Sequence, residues 1–408
     1  MLADYRVIDL TDEKGWLCGK ILGDLGADVI KVESPEGDHG RQIGPFTSGR
    51  DGQKKSLFWL AYNTSKRGMT LNLETGKGRK ILENLVQDTD ILIESFTPGY
   101  LESLGLSYEE LLKINPGLIM ASITPFGQDG PYSKYCSVDI TNMAMSGLMY
   151  VCGDNDRPPV ALCFPQSYCF AGVATAAAIL MANYHRQKTG MGQHIDLSIQ
   201  EILIWATAYV IPFWTTSKMI YKRSGNYQLR LGNSYRMCYR CKDGYIAYRM
   251  GFGVMLGVGQ KKITEEMNKE GIGTDLTDID YLALGVDEMP SDILQRTEQA
   301  MQEYFQRHTK AELTELGLKR DIMIYPVLSP SEIAGYEQLM ERNYWQQIPD
   351  ESSGEIISYP GSFLRSSEQD PFIRRPAPNV GEHTSAILNE NLGLSEAEID
   401  NLKAEEII

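Results

Sequence analysis

Residues 5–33 read YRVIDLTDEKGWLCGKILGDLGADVIKVE, and they decide the fold class. The apolar run Tyr5–Leu10 predicts a strand, the next stretch predicts a helix closed by Gly26, and Asp28–Glu33 predicts a second strand. A strand, a helix and a strand in this order form a βαβ unit, whose two strands run parallel in one sheet. This segment therefore predicts an α/β fold.

The alternation of strands and helices continues to about residue 200. Apolar runs and helical periodicity predict strands at Met69–Leu73, Ile91–Ser95, Leu118–Ile123 and Ile195–Ser198, and helices at Gly76–Gln87, Tyr108–Asn115 and about 171–188. Near-continuous Val, Ile and Leu is typical of a parallel sheet covered on both faces. Residues 238–308 change in character and predict a separate, smaller domain. Residues 335–378 are expected to be irregular, and Ser395 to cap a C-terminal helix over 395–402.

Charge and composition narrow the range of functions. The chain has 39 Lys and Arg against 54 Asp and Glu, a net charge of −15, so neither nucleic acids nor anionic membranes are expected as partners. The longest apolar run, Phe170–Ala182, has 13 residues and is too short to span a bilayer. Seven scattered cysteines and the lack of a secretory leader predict a cytoplasmic protein.

One basic cluster stands out in the acidic chain, although familiar cofactor motifs are missing. No glycine-rich phosphate loop follows the first strand, and five scattered histidines show no metal-ligand spacing, so no metal is expected. Arg41 follows the strand Asp28–Glu33, and Lys66 and Arg67 precede the strand Met69–Leu73. These cations could hold a phosphorylated ligand; alternatively, they are surface charges that balance nearby acids.

Eight segments, taken together and in this order, resemble the class III CoA-transferases. They are RVIDLT (6–11), LGDLGADVIKVE (22–33), NTSKRGMTLNL (63–73), DILIESFTPG (90–99), LGLSYEELLKINPGLIMASITPFGQDGPY (104–132), DITNMAMSGLM (139–149), TGMGQHIDLS (189–198) and PAPNVGEHT (376–384). Each segment is weak alone, but together they cover most of residues 5–205 and 320–400. The middle of the chain matches less clearly.

The resemblance implies an architecture with two domains. In the family, both chain ends build a Rossmann-like large domain, a small domain is inserted between them, and two subunits interlock as rings. Here the implied large domain takes residues 1–205 and 325–408, and residues 206–324 form a linker and a small α+β domain. Coenzyme A or acyl-CoA is then expected as a substrate, with no tightly bound cofactor.

The resemblance also implies where coenzyme A is held. By position, Arg41, Lys66 and Arg67 would bind its 3′-phosphate and pyrophosphate. Phe96 would offer an aromatic surface to the adenine ring. Ser95 belongs to the same implied site, at a position where the family usually has Asn.

The residue at the position of the family's nucleophile is not a carboxylate. In the family, an Asp four residues before the glycine that opens an Ala-rich helix attacks the acyl-CoA thioester, forming a mixed anhydride and then an aspartyl-CoA thioester. Here that glycine is Gly172, and the residue four positions earlier is Tyr168. No Asp or Glu lies between Asp156 and Asp196, so a small shift in alignment cannot recover the carboxylate. A phenol cannot carry CoA as a thioester, so Tyr168 is predicted to be inactive.

Three functions remain open. The first is the non-catalytic subunit of a heteromeric CoA-transferase, an interlocked heterodimer or heterotetramer whose homologous partner carries the Asp. That arrangement resembles the two-chain family members that act on succinyl-CoA and (R)-benzylsuccinate in anaerobic aromatic degradation. The second is a self-sufficient transferase or racemase that uses another group, with these candidates: Asp139, Glu201, Cys163 and Cys169. The third is an acyl-CoA-binding protein without catalysis.

Overall fold

The central sheet of the chain consists of six parallel strands. They are β1 (Arg6–Leu10), β2 (Asp28–Glu33), β3 (Lys66–Thr70), β4 (Ile91–Glu94), β5 (Ile119–Thr124) and β6 (His194–Ser198). Their spatial order is β3-β2-β1-β4-β5-β6. A computed structural model describes residues 1–47, 54–230, 233–285, 289–350 and 354–408. The order reverses between β1 and β4, which is the switch point where parallel α/β sheets bind ligands.

Helices pack on both faces of this sheet. They are α1 (Trp16–Asp24), α2 (Leu57–Tyr62), α3 (Gly76–Val86), α4 (Tyr100–Ser103), α5 (Tyr108–Ile114), α6 (Asp139–Met145), α7 (Gln166–Thr189), α8 (Ile199–Trp205) and α9 (Val210–Ser217). On one face, Ile8, Ile30 and Leu92 of the strands share a buried core with Leu82 of α3 and Leu111 of α5. On the other face, α1 packs against α7. The predicted α/β fold with a large parallel sheet is confirmed.

Two elements begin at least three residues earlier in the chain than the sequence predicts. β3 starts at Lys66 and not at Met69, so Lys66 and Arg67 lie within the strand instead of preceding it. α7 starts at Gln166, which places Tyr168 in its first turn. Apolar periodicity identifies the middle of an element, whereas its ends depend on hydrogen bonds and ion pairs that the pattern does not contain.

The helix α7 is longer than its apolar run suggested. It has 24 residues and is apolar enough, by length and composition, to cross a membrane. Half of its most apolar segment is buried, and the helix packs against α1, α8 and β5. Gly172 permits close contact with α1, because a Cβ at this position would lie 2.8 Å from Leu17 Cβ. We therefore interpret α7 as a core helix.

A second compact unit comprises residues 150–160 and 221–337. Its elements are β7 (Tyr227–Arg230), β8 (Asn233–Arg236), β9 (Cys238–Cys241), β10 (Gly244–Tyr248), α10 (Gly253–Lys269), α11 (Ser291–Arg307), α12 (Lys310–Arg320), β11 (Ile324–Pro326) and α13 (Pro330–Ala334). β9, β10 and β11 form an antiparallel sheet, and its core includes Tyr239, Tyr248 and Phe305. Residues 206–220, expected in the linker that precedes the small domain, belong to the larger unit with α9.

The stretch 335–378 contains regular structure that the sequence did not predict. It holds α14 (Glu337–Glu341) and a hairpin of β12 (Trp345–Asp350) with β13 (Glu355–Pro360). Polar pairs such as Gln347 with Ser358 weaken the alternation by which strands are recognised. Two further helices complete the chain, α15 (Thr384–Leu392) and α16 (Glu396–Ala404). The hydroxyl of Ser395 accepts from the Glu398 N–H, so the predicted helix cap is confirmed.

Candidate active-site crevice

A crevice of about 600 Å³ lies at the carboxyl ends of β1, β2 and β4, at the switch point of the sheet. Thr11 and Asp12 follow β1, Ser34 follows β2, and Ser95 and Phe96 follow β4. Ligands of parallel α/β sheets bind at this position. The structure thus brings two of the predicted residues, Ser95 and Phe96, into one candidate site.

Ser95 connects the loops that follow β1 and β4. Its hydroxyl accepts a hydrogen bond from the Asp12 N–H at 2.8 Å and donates one to Asp12 Oδ1 at 2.7 Å. Asp12 also forms an ion pair with Lys14. The Phe96 ring packs on Tyr100, with the ring centroids 4.7 Å apart. The crevice therefore has an aromatic side and a charged side, on which Asp12 is already paired with Lys14.

Glu94, the last residue of β4, fixes the backbone of Phe96. Its Oε2 accepts a hydrogen bond from the Phe96 N–H at 2.7 Å, and the side chain is buried. Burial raises the pKa of Glu94 to about 7, although hydrogen bonds from Ser122 and Phe96 favour the charged form. A carboxyl that titrates near neutral pH thus supports one side of the crevice.

The structure corrects the predicted role of Lys66. Its side chain is fully buried, and Nζ donates to Asp9 Oδ2 at 2.8 Å, to Asn63 Oδ1 at 2.8 Å and to Trp16 O at 2.9 Å. All three ammonium donors have protein partners, so none is left for a phosphate. Burial lowers the pKa of Lys66, and the Asp9 carboxylate opposes that shift. Lys66 is therefore a structural cation.

Arg41 lies beside the crevice but is held by neighbouring groups. Its Nε and Nη2 bind the two carboxylate oxygens of Glu33, each at 2.7 Å, and Nη2 also donates to Pro378 O at 3.0 Å. The guanidinium carbon lies 3.7 Å from the centroid of the Trp59 ring. Bidentate pairing neutralises and fixes an arginine, so Arg41 adds little free positive charge to the crevice.

Arg67 lies near the amino-terminal edge of the sheet, away from Ser95. Strand register places Arg67 level with Leu92 of β4, about 10 Å along the strand before Ser95. Its guanidinium pairs with Asp28 at 2.6 Å and with Glu390 at 2.7 Å. The three predicted cations therefore do not meet in one ligand site within this chain.

Tyr168, at the position of the family's nucleophile, is buried in the first turn of α7, with 7% of its surface exposed. Burial raises the pKa of its phenol, and the negative charges of Glu13, Asp12 and Asp139 raise it further. The hydroxyl therefore stays protonated at neutral pH and is a poor nucleophile.

The other candidate nucleophiles lie in varied surroundings. Asp139 Oδ1 accepts from the Ser167 N–H at 2.9 Å and from the Ser167 hydroxyl at 2.6 Å, which ties it to the first turn of α7. Cys169 is half-buried, with Sγ 3.6 Å from the Tyr62 hydroxyl. The remaining two are exposed: Cys163 and Glu201.

Sequence reasoning missed two residues of the site, Glu13 and His39. Glu13 Oε2 lies 3.0 Å from His39 Nε2, and His39 lines the crevice. Burial raises the pKa of Glu13, and the charge of Asp12 adds to the shift. The available signal was the charged stretch directly after the first strand, because crevice residues follow strand ends in parallel sheets.

Carboxylates outnumber cations around the crevice. The acidic residues in its lining are Asp12, Glu33, Glu36, Asp38 and Glu74. Within the described ranges of the chain, Lys31 is the only lysine or arginine in this lining. Lys31 is itself buried, donates to Thr11 O at 2.5 Å and pairs with Asp38 at 3.1 Å. The crevice therefore presents an acidic surface.

A second feature of the larger unit is a set of exposed apolar side chains on, or directly before, α7, α8 and α9, which we call the α7–α9 surface. Its members are Phe164, Val173, Met181, Tyr184, Trp205, Ile211 and Trp214. Phe164 is 78% exposed and Trp205 is 77% exposed. Of these helices, α7 packs against α8. Large exposed apolar side chains in such numbers are typical of proteins that bind another protein.

Comparisons with known proteins agree on one family. The sequence model of CoA-transferase family III matches residues 2–384. Subunit BbsE of the succinyl-CoA:(R)-benzylsuccinate CoA-transferase from Thauera aromatica is 34% identical over 411 residues, covering 98% of this chain and 96% of that subunit. The beta subunit of succinyl-CoA–L-malate CoA-transferase from Chloroflexus aurantiacus is 29% identical over 424 residues, covering 100% of this chain and 98% of that subunit.

A solved structure has the same fold. A CAIB/BAIF family protein from Brucella suis matches with a TM-score of 0.82 and 29% identity, over 95% of this chain and 98% of that chain. The chain therefore belongs to CoA-transferase family III, as its eight sequence segments indicated. Within that family it is similar to a subunit of a benzylsuccinate CoA-transferase.

Proposed function

We propose that this chain is the nucleophile-lacking subunit of a heteromeric class III CoA-transferase, and that a homologous partner subunit supplies the catalytic Asp. The observation that carries the proposal is Tyr168. It occupies the nucleophile's position, and the pKa of its phenol is raised by burial and, to a lesser extent, by surrounding negative charge, so it stays protonated. The scaffold around it is retained, including the six-stranded sheet and the long helix α7.

The chemistry of CoA transfer explains why the substitution matters. A carboxylate can attack the acyl-CoA thioester to form an anhydride, and it can then carry CoA as a thioester until the acceptor acid takes it. Covalent catalysis of this kind divides one difficult step into easier ones. A phenol with a raised pKa offers neither intermediate. One Asp in the partner subunit is enough for one working site per pair.

The α7–α9 surface supports the need for a partner. Side chains such as Trp205 and Phe164 are exposed in the single chain, and covering them would contribute about 25 cal/mol per Å² of apolar area removed from water. We propose that the partner covers this surface in an interlocked heterodimer or heterotetramer. The relatives from Thauera aromatica and Chloroflexus aurantiacus are both named as subunits.

We propose succinyl-CoA as the CoA donor and (R)-benzylsuccinate as the acceptor acid. The support is the 34% identity to subunit BbsE over 98% of this chain. We place the complex in the cytoplasm, where the seven free cysteines would remain reduced.

The test is to purify the protein from its own cells and to weigh the intact complex by native mass spectrometry. We expect a second chain of similar size that carries an Asp at the position equivalent to Tyr168, four residues before the glycine that matches Gly172. Recombinant complex should exchange CoA, and the same complex with that Asp replaced by Asn should not. The chain expressed alone should show no transfer above background; ordinary enzyme rates from it would overturn the proposal.

A second candidate, a self-sufficient transferase, is favoured by the carboxylates beside Tyr168. Glu13 and Asp139 both act electrostatically on its phenol, so each is near the place where the nucleophile would stand. If the chain alone proves active, Glu13→Gln and Asp139→Asn identify the group used. The third possibility, acyl-CoA binding without catalysis, predicts a chain that binds CoA alone and never transfers it.

A further inference from the structure

The phosphates of coenzyme A set a clear demand on any site that holds them. The 3′-phosphate and the pyrophosphate carry several negative charges at neutral pH, and proteins bind such groups through accessible Arg, Lys and backbone N–H donors. A crevice that binds coenzyme A therefore needs cations that are free to face the ligand.

The three cations predicted to bind the phosphates of coenzyme A are already paired with other groups of this chain. Lys66 has three protein acceptors and no exposure, and Arg41 is held bidentately by Glu33. Arg67 pairs with two carboxylates, Asp28 and Glu390. Releasing any of them would leave a carboxylate without its cation. For Asp9 and Glu33, which are fully buried, that cost is high.

Among the residues that the structure describes, most charged groups that face the crevice are negative, which is the wrong sign for binding phosphate. Glu36 and Glu74 are exposed at its rim, and Asp12 is partly exposed. Lys31, in its lining, has 2% of its side chain exposed and is paired with Asp38. His39 is exposed, but its ring nitrogen faces Glu13 at 3.0 Å.

We infer that the crevice of this subunit has lost coenzyme A binding together with the nucleophile, so that each pair of subunits binds a single CoA. The inference rests on the proposed function, because it assumes a partner with an intact site. In this chain the crevice region would then serve the fold. The cation and the carboxylate of each ion pair neutralise each other, in Lys66–Asp9, Arg41–Glu33 and Lys31–Asp38.

The experiment is isothermal titration calorimetry of the purified complex with coenzyme A, with the stoichiometry checked by native mass spectrometry. One CoA per pair of subunits is expected. Two CoA per pair, with dissociation constants within about tenfold of each other, would overturn the inference while leaving the heteromeric assignment intact. If no partner exists and the chain forms homodimers, a homodimer that binds CoA overturns the inference, and one that binds none supports it.

A charge-reversal variant tests the electrostatic reason. Glu36→Lys combined with Glu74→Lys removes two rim carboxylates and adds two cations. We expect CoA affinity at this crevice to rise at least tenfold, so that a second, weak binding event becomes measurable. Asp88→Lys is the matched control, because Asp88 is exposed just before β4, at the opposite edge of the sheet, and it should leave the stoichiometry at one. A double variant that binds no better than this control would show that the rim charges do not exclude CoA.

Discussion

The crevice and the α7–α9 surface differ in whether their side chains are paired or covered by other groups of this chain. Lys31 in the crevice lining, Arg41 beside the crevice and the buried Lys66 are all paired with carboxylates of the same chain. On the α7–α9 surface, large apolar side chains such as Trp205 face solvent. A working CoA site would show the reverse, with free cations awaiting a ligand. This difference is what we expect of the proposed subunit, which would depend on a partner protein more than on a ligand of its own.

The largest expected effect is the loss of stability when Lys66 is replaced. Replacing Lys66 by Met leaves Asp9 buried without its cation, so we expect the free energy of unfolding to fall by about 3–5 kcal/mol. Urea unfolding followed by circular dichroism measures this. Lys77→Met, at an exposed pair with Glu405, is the control and should cost less than about 1 kcal/mol. Unchanged stability would show that the fold does not need the ion pair of Lys66 with Asp9, and Lys66 would again be a candidate for binding a ligand.

The next prediction concerns the pH dependence of stability that Glu94 causes. The folded state raises the pKa of Glu94 from 4.5 to about 7, so it binds a proton that the unfolded state releases. Stability from this group is complete below about pH 4.5 and is lost as the pH rises to about 7, by about 3 kcal/mol. Glu94→Gln keeps an acceptor for the Phe96 N–H and should remove this loss.

The measurement for Glu94 is the free energy of unfolding between pH 4.5 and 8 for the wild type and the variant. Glu110→Gln, at an exposed glutamate of α5, serves as the control and should follow the wild-type profile. A Glu94→Gln variant that loses as much stability as the wild type over this range would show that Glu94 is not the group that titrates.

The apolar surface supplies the next prediction. Trp205→Asp places a charge where we expect the partner to pack, so the complex should weaken by about 2 kcal/mol, or roughly thirtyfold in Kd. Analytical ultracentrifugation of the two subunits measures the change. Ile356→Asp is the control, because Ile356 is also exposed but lies on β13. If both variants weaken the complex equally, the α7–α9 surface is not the part of this chain that the partner preferentially covers.

The smallest expected effect is at Tyr168 itself. Tyr168→Phe removes only the hydroxyl, which we assign no chemical role, so the transfer rate of the complex should change by less than about twofold. Steady-state kinetics with succinyl-CoA measures this. A drop of a hundredfold or more, with the complex still assembled, would mean that the phenol takes part in catalysis.

Much of the fold followed from local patterns, because strands and helices of a parallel sheet repeat their apolar residues regularly. The strand Asp28–Glu33 was predicted with its observed bounds, and Tyr168 was identified from its spacing to Gly172. The hairpin of β12 and β13 was missed because its residues are too polar to show alternation.

The candidate site was only partly predictable. Ser95 and Phe96, which the resemblance implies for coenzyme A binding, lie in the lining of the crevice, where residues that follow a parallel strand are found. The role of Lys66 could not be predicted, because a sequence does not show whether a lysine binds a phosphate or pairs with a buried carboxylate. Here Lys66 pairs with the buried Asp9 at 2.8 Å. Glu13 approaches Tyr168 only through the packing of α1 against α7, which no local pattern contains.

The most direct test of the account is to locate the covalent intermediate. The purified complex is incubated with succinyl-CoA and quenched with hydroxylamine, which converts an acylated or CoA-bearing carboxylate into a hydroxamate. Peptide mass spectrometry then finds the modified residue. We predict a hydroxamate on the partner's Asp and none on this chain. A hydroxamate on Glu13, Asp139 or any other carboxylate of this chain would show that the chain has a nucleophile of its own.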